Sequence, residues 1–245
     1  TTHILKPEIP RFAGTAENEG FCMRLARAIG LEVVAVEYRS VLGKQFLLVE
    51  RYDREATEEG KVVRIHQEDF CQALGFTSAR KYASDGGPVF RDCFDLVRRV
   101  TTRPAAEVLK LLDAALFNVI IGNADAHAKN FSLLYHGRRT QLAPLYDLLS
   151  TVAYPDLSQR FAMKMGGRKT LESLRPEDID KFAEEVTIRA PFVHKRMGEM
   201  AESIVAKAND VQRSLGVPEA REDFVESVKA HILERAHQVL DLLRN

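Results

Sequence analysis

The sequence has little cysteine, no long apolar run and no net charge. Its three cysteines, Cys22, Cys71 and Cys93, lie far apart and form no CxxC pair, which argues against a zinc site or a disulfide framework and favours the reduced thiols of a cytoplasmic protein. No apolar run approaches the ~18 residues that a membrane helix needs, so we expect no membrane contact. Because 35 Lys and Arg residues balance 35 Asp and Glu residues, no overall basic field is available for direct DNA binding.

Length and composition are those of a folded globular protein. The chain has 245 residues, of which 45% are hydrophobic and 29% are charged, so it can bury a core as one large domain or two small ones. Strand patterns dominate the first part and helical periodicity dominates the rest. We therefore predict an α+β fold with two unequal parts, residues 1–52 and 53–245, joined by a connecting segment at 47–52 and separated by a cleft.

Apolar periodicity and turn residues predict the order of the elements. A strand at 3–6 ends at Pro7, a helix with acidic residues in its first turn ends at Gly30, and strands at 32–39 and 45–50 form a hairpin. The remaining predicted elements are a short helix near 68–74, a break at 86–88, a buried helix at 104–121 that Gly122 ends, strands at 131–135 and 140–143, and helices at about 177–186, 191–215 and 221–244.

Three polar residues surround the second predicted pair of strands. Asp125 and Asn130 stand five positions apart in the loop after the buried helix, and Asp147 follows the strand pair. Taken singly, such residues more often cap turns. Phosphoryl transfer from ATP, however, needs a carboxylate that accepts the hydroxyl proton, an amide oxygen on magnesium and a carboxylate that bridges metal and phosphates. The order and spacing of the three residues favour this reading: Asp125 as the catalytic base, and Asn130 and Asp147 as metal ligands.

The sequence around these residues resembles the signature of the HipA toxin kinases. It is carried by Asp-Ala-His-Ala-Lys-Asn-Phe-Ser at 125–132 and Leu-Ala-Pro-Leu-Tyr-Asp-Leu-Leu-Ser at 142–150. The similarity extends over most of residues 1–165, with further matches at 3–7, 17–19, 49–54 and 81–88. The resemblance implies a protein-kinase-like two-lobed fold, use of ATP and Mg²⁺, and transfer to a protein serine.

The same resemblance implies partners for the chain. Members of this family typically phosphorylate an aminoacyl-tRNA synthetase, which links them to translation arrest and persistence. Many of them bind a HipB-like antitoxin, through which DNA is contacted only indirectly. The small lobe is incomplete on the side that precedes Lys6. We therefore expect the missing part to come from upstream sequence or from a separate small protein, and expect the isolated chain to be a poor kinase.

Further site residues are assigned by matching the family. Lys6 matches the nucleotide lysine, and either Glu17 or Glu19 is a candidate to pair with it. Glu50 and Tyr52 lie in the segment that matches the hinge, where they would hold adenine.

For other residues near the motif, the sequence leaves two possible roles open. Tyr146 either packs near the nucleotide or is a core aromatic residue. His127 and Lys129 either face the γ-phosphate or shape the catalytic loop. Tyr82, together with Ser84 and Asp85, either orders a substrate-facing loop or forms a simple turn.

Two other functions fit parts of the sequence. A small-molecule or lipid phosphotransferase would use an Asp, an Asn and a metal-binding Asp at similar spacing. Only the sequence motifs around these three residues favour a protein kinase. A non-catalytic, nucleotide-binding pseudokinase would explain why no glycine-rich loop is present in the chain. Transfer of labelled phosphate and nucleotide binding with and without magnesium separate the three.

Overall fold

The computed structural model describes residues 1–244, in which β-strands are concentrated at the start and helices at the end. The strands in this range are β1 (His3–Pro7), β2 (Val36–Val41), β3 (Lys44–Glu50), β4 (Arg54–Ala56), β5 (Val62–Arg64), β6 (His66–Asp69), β7 (Ser132–His136) and β8 (Arg139–Leu142). The α-helices are α1 (Thr15–Ala28), α2 (Phe70–Ala73), α3 (Phe90–Val100), α4 (Pro104–Ile121), α5 (Pro176–Glu185), α6 (Ala190–Leu215) and α7 (Glu219–Arg244).

The first three strands form a small antiparallel sheet in the order β1-β3-β2. His3 lies opposite Glu50, which brings the start of the chain beside the connecting segment. The hairpin was predicted to begin at residue 32, but β2 begins at Val36. The preceding residues pair elsewhere, since the Val34 amide donates to the carbonyl of Leu145 at 3.0 Å. This contact ties the small sheet to the chain just before Asp147.

The region between the small sheet and α3 differs most from the prediction. The polar stretch expected at 53–60 carries half of the two-stranded hairpin β4-β5. The helix predicted near 68–74 is shorter, because residues up to Asp69 form β6 and pair with β7. Asp69 then caps α2: its carboxylate accepts from the Gln72 amide while the Gln72 side chain accepts from the Asp69 amide, which satisfies two backbone donors at the helix start.

Helix α3 was not predicted, although its apolar residues recur at helical spacing. Phe90, Cys93, Phe94 and Val97 are all buried, as expected for the inner face of an amphipathic helix. The helix packs against α4. The pattern was therefore present in the sequence, directly after the break at Gly86 to Pro88 that was recognised.

Helix α4 is the central helix, as predicted. It begins with Pro104 and ends where Gly122 takes a left-handed conformation with φ of 73°, a common pairing of helix signals. Its fully buried large side chains are Leu111, Leu112, Leu116, Phe117, Ile120 and Ile121. Burying each such side chain contributes about 1.5–3 kcal/mol. The helix thus forms a rigid support from which the loop that carries Asp125 and Asn130 projects.

The last three helices match the prediction to within about two residues, a normal uncertainty of helix ends. Helix α6 packs along α7 and against α1. One contiguous core includes Leu47 and Val49 of the small sheet together with the helical body, and the division at residue 52 stays a prediction. No helix among residues 1–244 combines the length and the apolar character needed to cross a membrane.

Candidate active site

The three residues of the predicted phosphotransfer motif meet at one edge of a cleft. Asn130 closes a single 3-10 turn, Ala128–Asn130, that follows α4. Its side-chain amide donates from Nδ2 to Oδ2 of Asp147 at 2.8 Å, and its Oδ1 accepts from the His127 amide at 3.1 Å. Asp125 and Asp147 both line the cleft, which has a volume of about 1000 Å³.

Asp147 has an unusual backbone. Its φ is 59°, in the left-handed region that few non-glycine residues adopt and that Asp tolerates better than most. The Asn123 side chain donates to the Asp147 carbonyl at 3.3 Å. Such outliers concentrate at functional sites, where the surroundings hold them in place.

Lys6 is paired with Glu19 and not with Glu17. The Lys6 ammonium donates to Oε1 of Glu19 at 2.7 Å and to Oδ1 of Asp147 at 2.8 Å. Glu17 instead accepts from the Tyr38 hydroxyl at 3.0 Å. Two residues apart on a helix point to different faces, so only one of the two glutamates can reach Lys6. The sequence had left this choice open.

Burial and charge act in opposite directions on the Lys6 pair. Burial lowers the pKa of the Lys6 ammonium, but the carboxylates of Glu19 and Asp147 outweigh it and raise that pKa above its usual value. Burial raises the pKa of Glu19, and Lys6 opposes this rise. Glu19 is only 7% exposed, so the loss of Lys6 would leave a poorly hydrated charge on Glu19.

Asp125 is contacted by two ring systems. The Tyr82 hydroxyl donates to Oδ1 of Asp125 at 2.7 Å. Nε2 of His127 lies 3.9 Å from Oδ2 of the same carboxylate. Burial lowers the pKa of His127, so the ring is neutral at neutral pH. Its Nδ1 is buried and finds no hydrogen-bond partner within residues 1–244.

Tyr146 and Lys129 support the loop from behind. The Tyr146 hydroxyl donates to the Lys129 carbonyl at 2.8 Å and lies 2.7 Å from the Ser132 hydroxyl. Burial raises the pKa of Tyr146 well above its usual value. Lys129 does not line the cleft that holds Asp125. Its positive charge instead acts on the buried Cys71 thiol, whose pKa burial raises and Lys129 lowers.

The connecting segment has few free donors for a nucleotide base. The backbone amide of Glu50 donates to the Ala35 carbonyl, and that of Arg51 donates to the Thr2 carbonyl, both at 2.9 Å. The Tyr52 ring stacks on Tyr146 with ring centroids 5.7 Å apart, and its hydroxyl donates to Gln67 at 2.9 Å. Tyr52 is therefore stacked on Tyr146, whose hydroxyl supports the loop that carries Asp125 and Asn130.

Several supporting residues were missed from the sequence. Asn18 accepts from the Ser150 amide at 2.8 Å and donates to the Ser150 carbonyl at 2.9 Å, so it links α1 to the segment after Asp147. The Thr151 hydroxyl accepts from the Ala124 amide at 2.7 Å, next to Asp125. The one signal in the sequence was Asn18 itself, a polar residue on the apolar face of α1. A buried amide must find hydrogen-bond partners, so its position indicated a structural link.

The residues present suit a magnesium ion. No cluster of three or more His, Cys, Asp or Glu side chains that could hold a metal occurs among residues 1–244. Asn130 and Asp147 nevertheless bring an amide and a carboxylate together at 2.8 Å. Magnesium prefers oxygen ligands and is usually bound by one or two protein side chains, with phosphate oxygens and water completing its shell. An amide oxygen has a second lone pair, so Asn130 can coordinate a metal while it holds the loop.

The small sheet, the connecting segment and the helical body around this site define a protein-kinase-like α+β fold. A solved structure of HipA from Shewanella oneidensis, in complex with HipB and operator DNA, superposes with a TM-score of 0.93 at 29% identity over 100% of this chain and 60% of that one. The kinase CtkA of Helicobacter pylori has the same fold, with a TM-score of 0.67 at 14% identity over 98% of this chain and 85% of that one. The predicted fold class is confirmed.

The chain belongs to the HipA-like C-terminal domain family, whose model matches residues 1–209. It is 56% identical over 232 residues to the putative kinase Y4mE of Sinorhizobium fredii, covering 93% of this chain and 55% of that protein. It is 31% identical over 255 residues to the serine/threonine-protein kinase toxin HipA of Shewanella oneidensis, covering 98% of this chain and 58% of that protein. The chain therefore spans little more than half the length of these curated relatives. The predicted family is confirmed.

Proposed function

We propose that the protein carrying this chain is an ATP- and magnesium-dependent serine/threonine protein kinase. The observation that carries the proposal is the convergence on Asp147, which lies 2.8 Å from both the Lys6 ammonium and the Asn130 amide. Asp125 stands on the same cleft. A cation, two oxygen ligands for a metal and a base are the groups that phosphoryl transfer requires.

Each residue has a role in the transfer. The acceptor serine oxygen forms a bond to the γ-phosphorus as the bond to the β-γ bridging oxygen breaks, so ADP leaves and the hydroxyl proton passes to Asp125. Lys6 binds phosphate oxygens. Asn130 and Asp147 would hold Mg²⁺, which would neutralise charge on the phosphates.

The remaining assigned residues surround this centre. Glu50 and Tyr52 are assigned to the adenine side, with Tyr146 behind Tyr52 at a ring distance of 5.7 Å. His127 and Lys129 are assigned to the shape of the catalytic loop, which agrees with the neutral, buried ring of His127.

We further propose that the kinase is the toxin of a HipA/HipB-like toxin-antitoxin pair and acts on a protein, with an aminoacyl-tRNA synthetase as the leading candidate. The similarity to the toxin HipA of Shewanella oneidensis supports the toxin assignment. The solved HipA of that organism is bound to HipB and operator DNA. Balanced charge in this chain agrees with contact to DNA through an antitoxin. A mobility-shift assay in which the kinase alone bound operator DNA tightly would contradict this.

The experiment is transfer of labelled phosphate from ATP by the full-length gene product to proteins of a cell lysate. Asp125→Asn should lower transfer by about 10²- to 10⁴-fold, the usual contribution of a general base, while leaving nucleotide binding intact. Asp147→Asn should also weaken magnesium-dependent nucleotide binding, measured by calorimetry. Asp156→Asn, an exposed carboxylate further along the same segment, is the matched control and should change neither.

Each alternative function has its own result in this experiment. Label in a small-molecule or lipid fraction, without a labelled protein band, would favour a small-molecule or lipid kinase. Nucleotide binding without any transfer, by the parent and by every variant, would favour a pseudokinase. Normal transfer by Asp125→Asn would remove that residue from its assigned role.

A further inference from the structure

We infer that Tyr82 is a positioning residue for the base Asp125: its hydroxyl binds Oδ1 and leaves Oδ2 for the acceptor hydroxyl. The inference rests on the proposed kinase function. It starts from the hydrogen bond of 2.7 Å between the Tyr82 hydroxyl and Oδ1 of Asp125. The two residues lie 43 positions apart in sequence, and both line the cleft.

The carboxylate needs such an anchor. Its side chain is 49% exposed, and His127 lies 3.9 Å from Oδ2, beyond hydrogen-bond distance. Tyr82 is therefore the side chain, among residues 1–244, that donates a hydrogen bond to Asp125 in this structure. A general base must present a defined oxygen to the proton that it removes, and binding of Oδ1 defines which oxygen remains.

The hydroxyl of Tyr82 is suited to donate to Asp125. Burial, together with the hydrogen bond to Asp125, raises the pKa of Tyr82 above its usual value. The phenol therefore keeps its proton throughout the neutral range, so it cannot compete with Asp125 as a base.

The tyrosine ring is itself held on two sides. The Lys81 ammonium lies over the ring, 4.7 Å from its centroid. The His127 ring meets it edge-on, with centroids 5.2 Å apart. These contacts hold the ring, and Lys81 also forms a side-chain hydrogen bond with the hydroxyl. His127 thus acts on Asp125 by supporting Tyr82 as well as by its own proximity.

The loop that carries Tyr82 explains the glycine pair at 86–87. The Tyr82 carbonyl accepts from the amides of Asp85 at 3.0 Å and Gly87 at 2.9 Å. A Cβ on Gly87 would overlap the carbonyl oxygen of Arg80 and lie 2.7 Å from that of Tyr82. Only glycine lets the loop close this tightly. The motif at 81–88 is therefore a built support for the tyrosine and more than a simple turn.

A competing interpretation is that the Tyr82 hydroxyl inhibits transfer. The Tyr82 hydroxyl donates to Asp125 as an acceptor hydroxyl would, so it could instead block the base. Positioning is favoured because the Asp125 side chain lines the cleft and stays 49% exposed while Tyr82 is bound to Oδ1. If Tyr82 blocked the site, removing its hydroxyl would raise turnover. If it positions the base, removal lowers turnover.

The test is Tyr82→Phe in the full-length gene product, assayed with the acceptor protein that the labelling experiment isolates. The ring contacts stay and only the hydroxyl is lost. We expect kcat to fall about 10- to 100-fold, the effect of losing a hydrogen bond to a charged group. KM for ATP and the melting temperature should not change.

Tyr135→Phe is the matched control, because the Tyr135 hydroxyl also donates to a carboxylate, that of Glu68 at 2.6 Å, and does not line the cleft. It should leave kcat unchanged. Gly87→Ala is a second variant, which should lower kcat by displacing the loop. Unchanged or raised kcat in Tyr82→Phe, with Asp125→Asn inactive, would overturn the inference and leave the proposed function intact. Normal transfer by Asp125→Asn would overturn the proposed function itself.

Discussion

Replacing Glu19 with glutamine tests whether helix α1 positions the nucleotide lysine. Glutamine keeps the size of the side chain and one acceptor oxygen but removes the charge. Lys6 now lies 2.7 Å from Glu19 and 2.8 Å from Asp147. With Glu19 neutral, Asp147 becomes the only carboxylate among residues 1–244 that is bound to the ammonium. Lys6 should then compete with magnesium for Asp147, and the affinity for Mg-ATP should fall.

The magnitude follows from the type of bond and its exposure. The Glu19 side chain is 9% exposed and that of Lys6 is 33% exposed, so solvent screens the pair only in part. A hydrogen bond to a charged group contributes about 1.5–3 kcal/mol, and a charge-assisted bond is roughly twice as strong as a neutral one. Glutamine should therefore lose about half of that value, which corresponds to a rise in KM for Mg-ATP of about 3- to 12-fold.

Glu17→Gln provides the control for this prediction. Glu17 is on the same helix and is fully buried, but it bonds to Tyr38 and not to Lys6. Its replacement should lower the melting temperature and leave KM for Mg-ATP unchanged. The assay is calorimetric titration with Mg-ATP, together with steady-state kinetics. An unchanged KM in Glu19→Gln, or an equal rise in Glu17→Gln, would refute the reasoning.

Three further predictions concern stability and thiol reactivity. Asp53→Asn should lower the free energy of unfolding by about 1.5–3 kcal/mol at neutral pH. Hydrogen bonds from Arg51 hold the pKa of Asp53 below its usual value. The difference in unfolding free energy between parent and variant should therefore disappear as the pH falls through that lowered pKa. Denaturant unfolding at neutral and acidic pH measures this difference. Gly166→Ala should cost about 3 kcal/mol or more, because φ is 55° and a Cβ would overlap a backbone carbonyl. Gly167→Ala shares the positive φ, at 87°, but meets no such atom. It therefore serves in thermal melts as the control for the overlap. Cys93 should resist alkylation until the protein unfolds, because burial raises the pKa of its thiol, and mass spectrometry of native and denatured samples measures this.

The parts of the fold that the sequence predicted are those with local signals. Helix α4 was predicted with its observed ends, because Pro104 and Gly122 bracket an apolar run long enough to show its period. The short strands β4 and β5, each three residues long, were missed since three residues cannot establish an alternation. The start of β2 was misplaced because Val34 is apolar like a strand residue but bonds to Leu145, a partner that no local pattern reveals.

The site divides in the same way. Asp125 and Asn130 share one loop and Asp147 follows the next strand pair, so the order and spacing of the three could suggest phosphoryl transfer without knowledge of the fold. Lys6 and Asp147 are 141 positions apart, and sequence separation carries no information on distance. The choice between two acidic residues on α1 therefore needed the structure, as did the link from Tyr82 to Asp125.

Helix α1 reaches the segment that carries the metal carboxylate through two kinds of contact. One is ionic: Lys6 bridges Glu19 and Asp147, and under the proposed function it would change partners when phosphates and magnesium bind. The other is neutral: Asn18 makes two hydrogen bonds to the backbone of Ser150, at 2.8 and 2.9 Å. A buried amide bonded to backbone groups has no reason to respond to a nucleotide, because neither partner changes charge. If Lys6 moves from carboxylate to phosphate as the proposed function requires, Asn18 can hold the helix in place, so that binding of ATP need not displace the helix that pairs with Lys6.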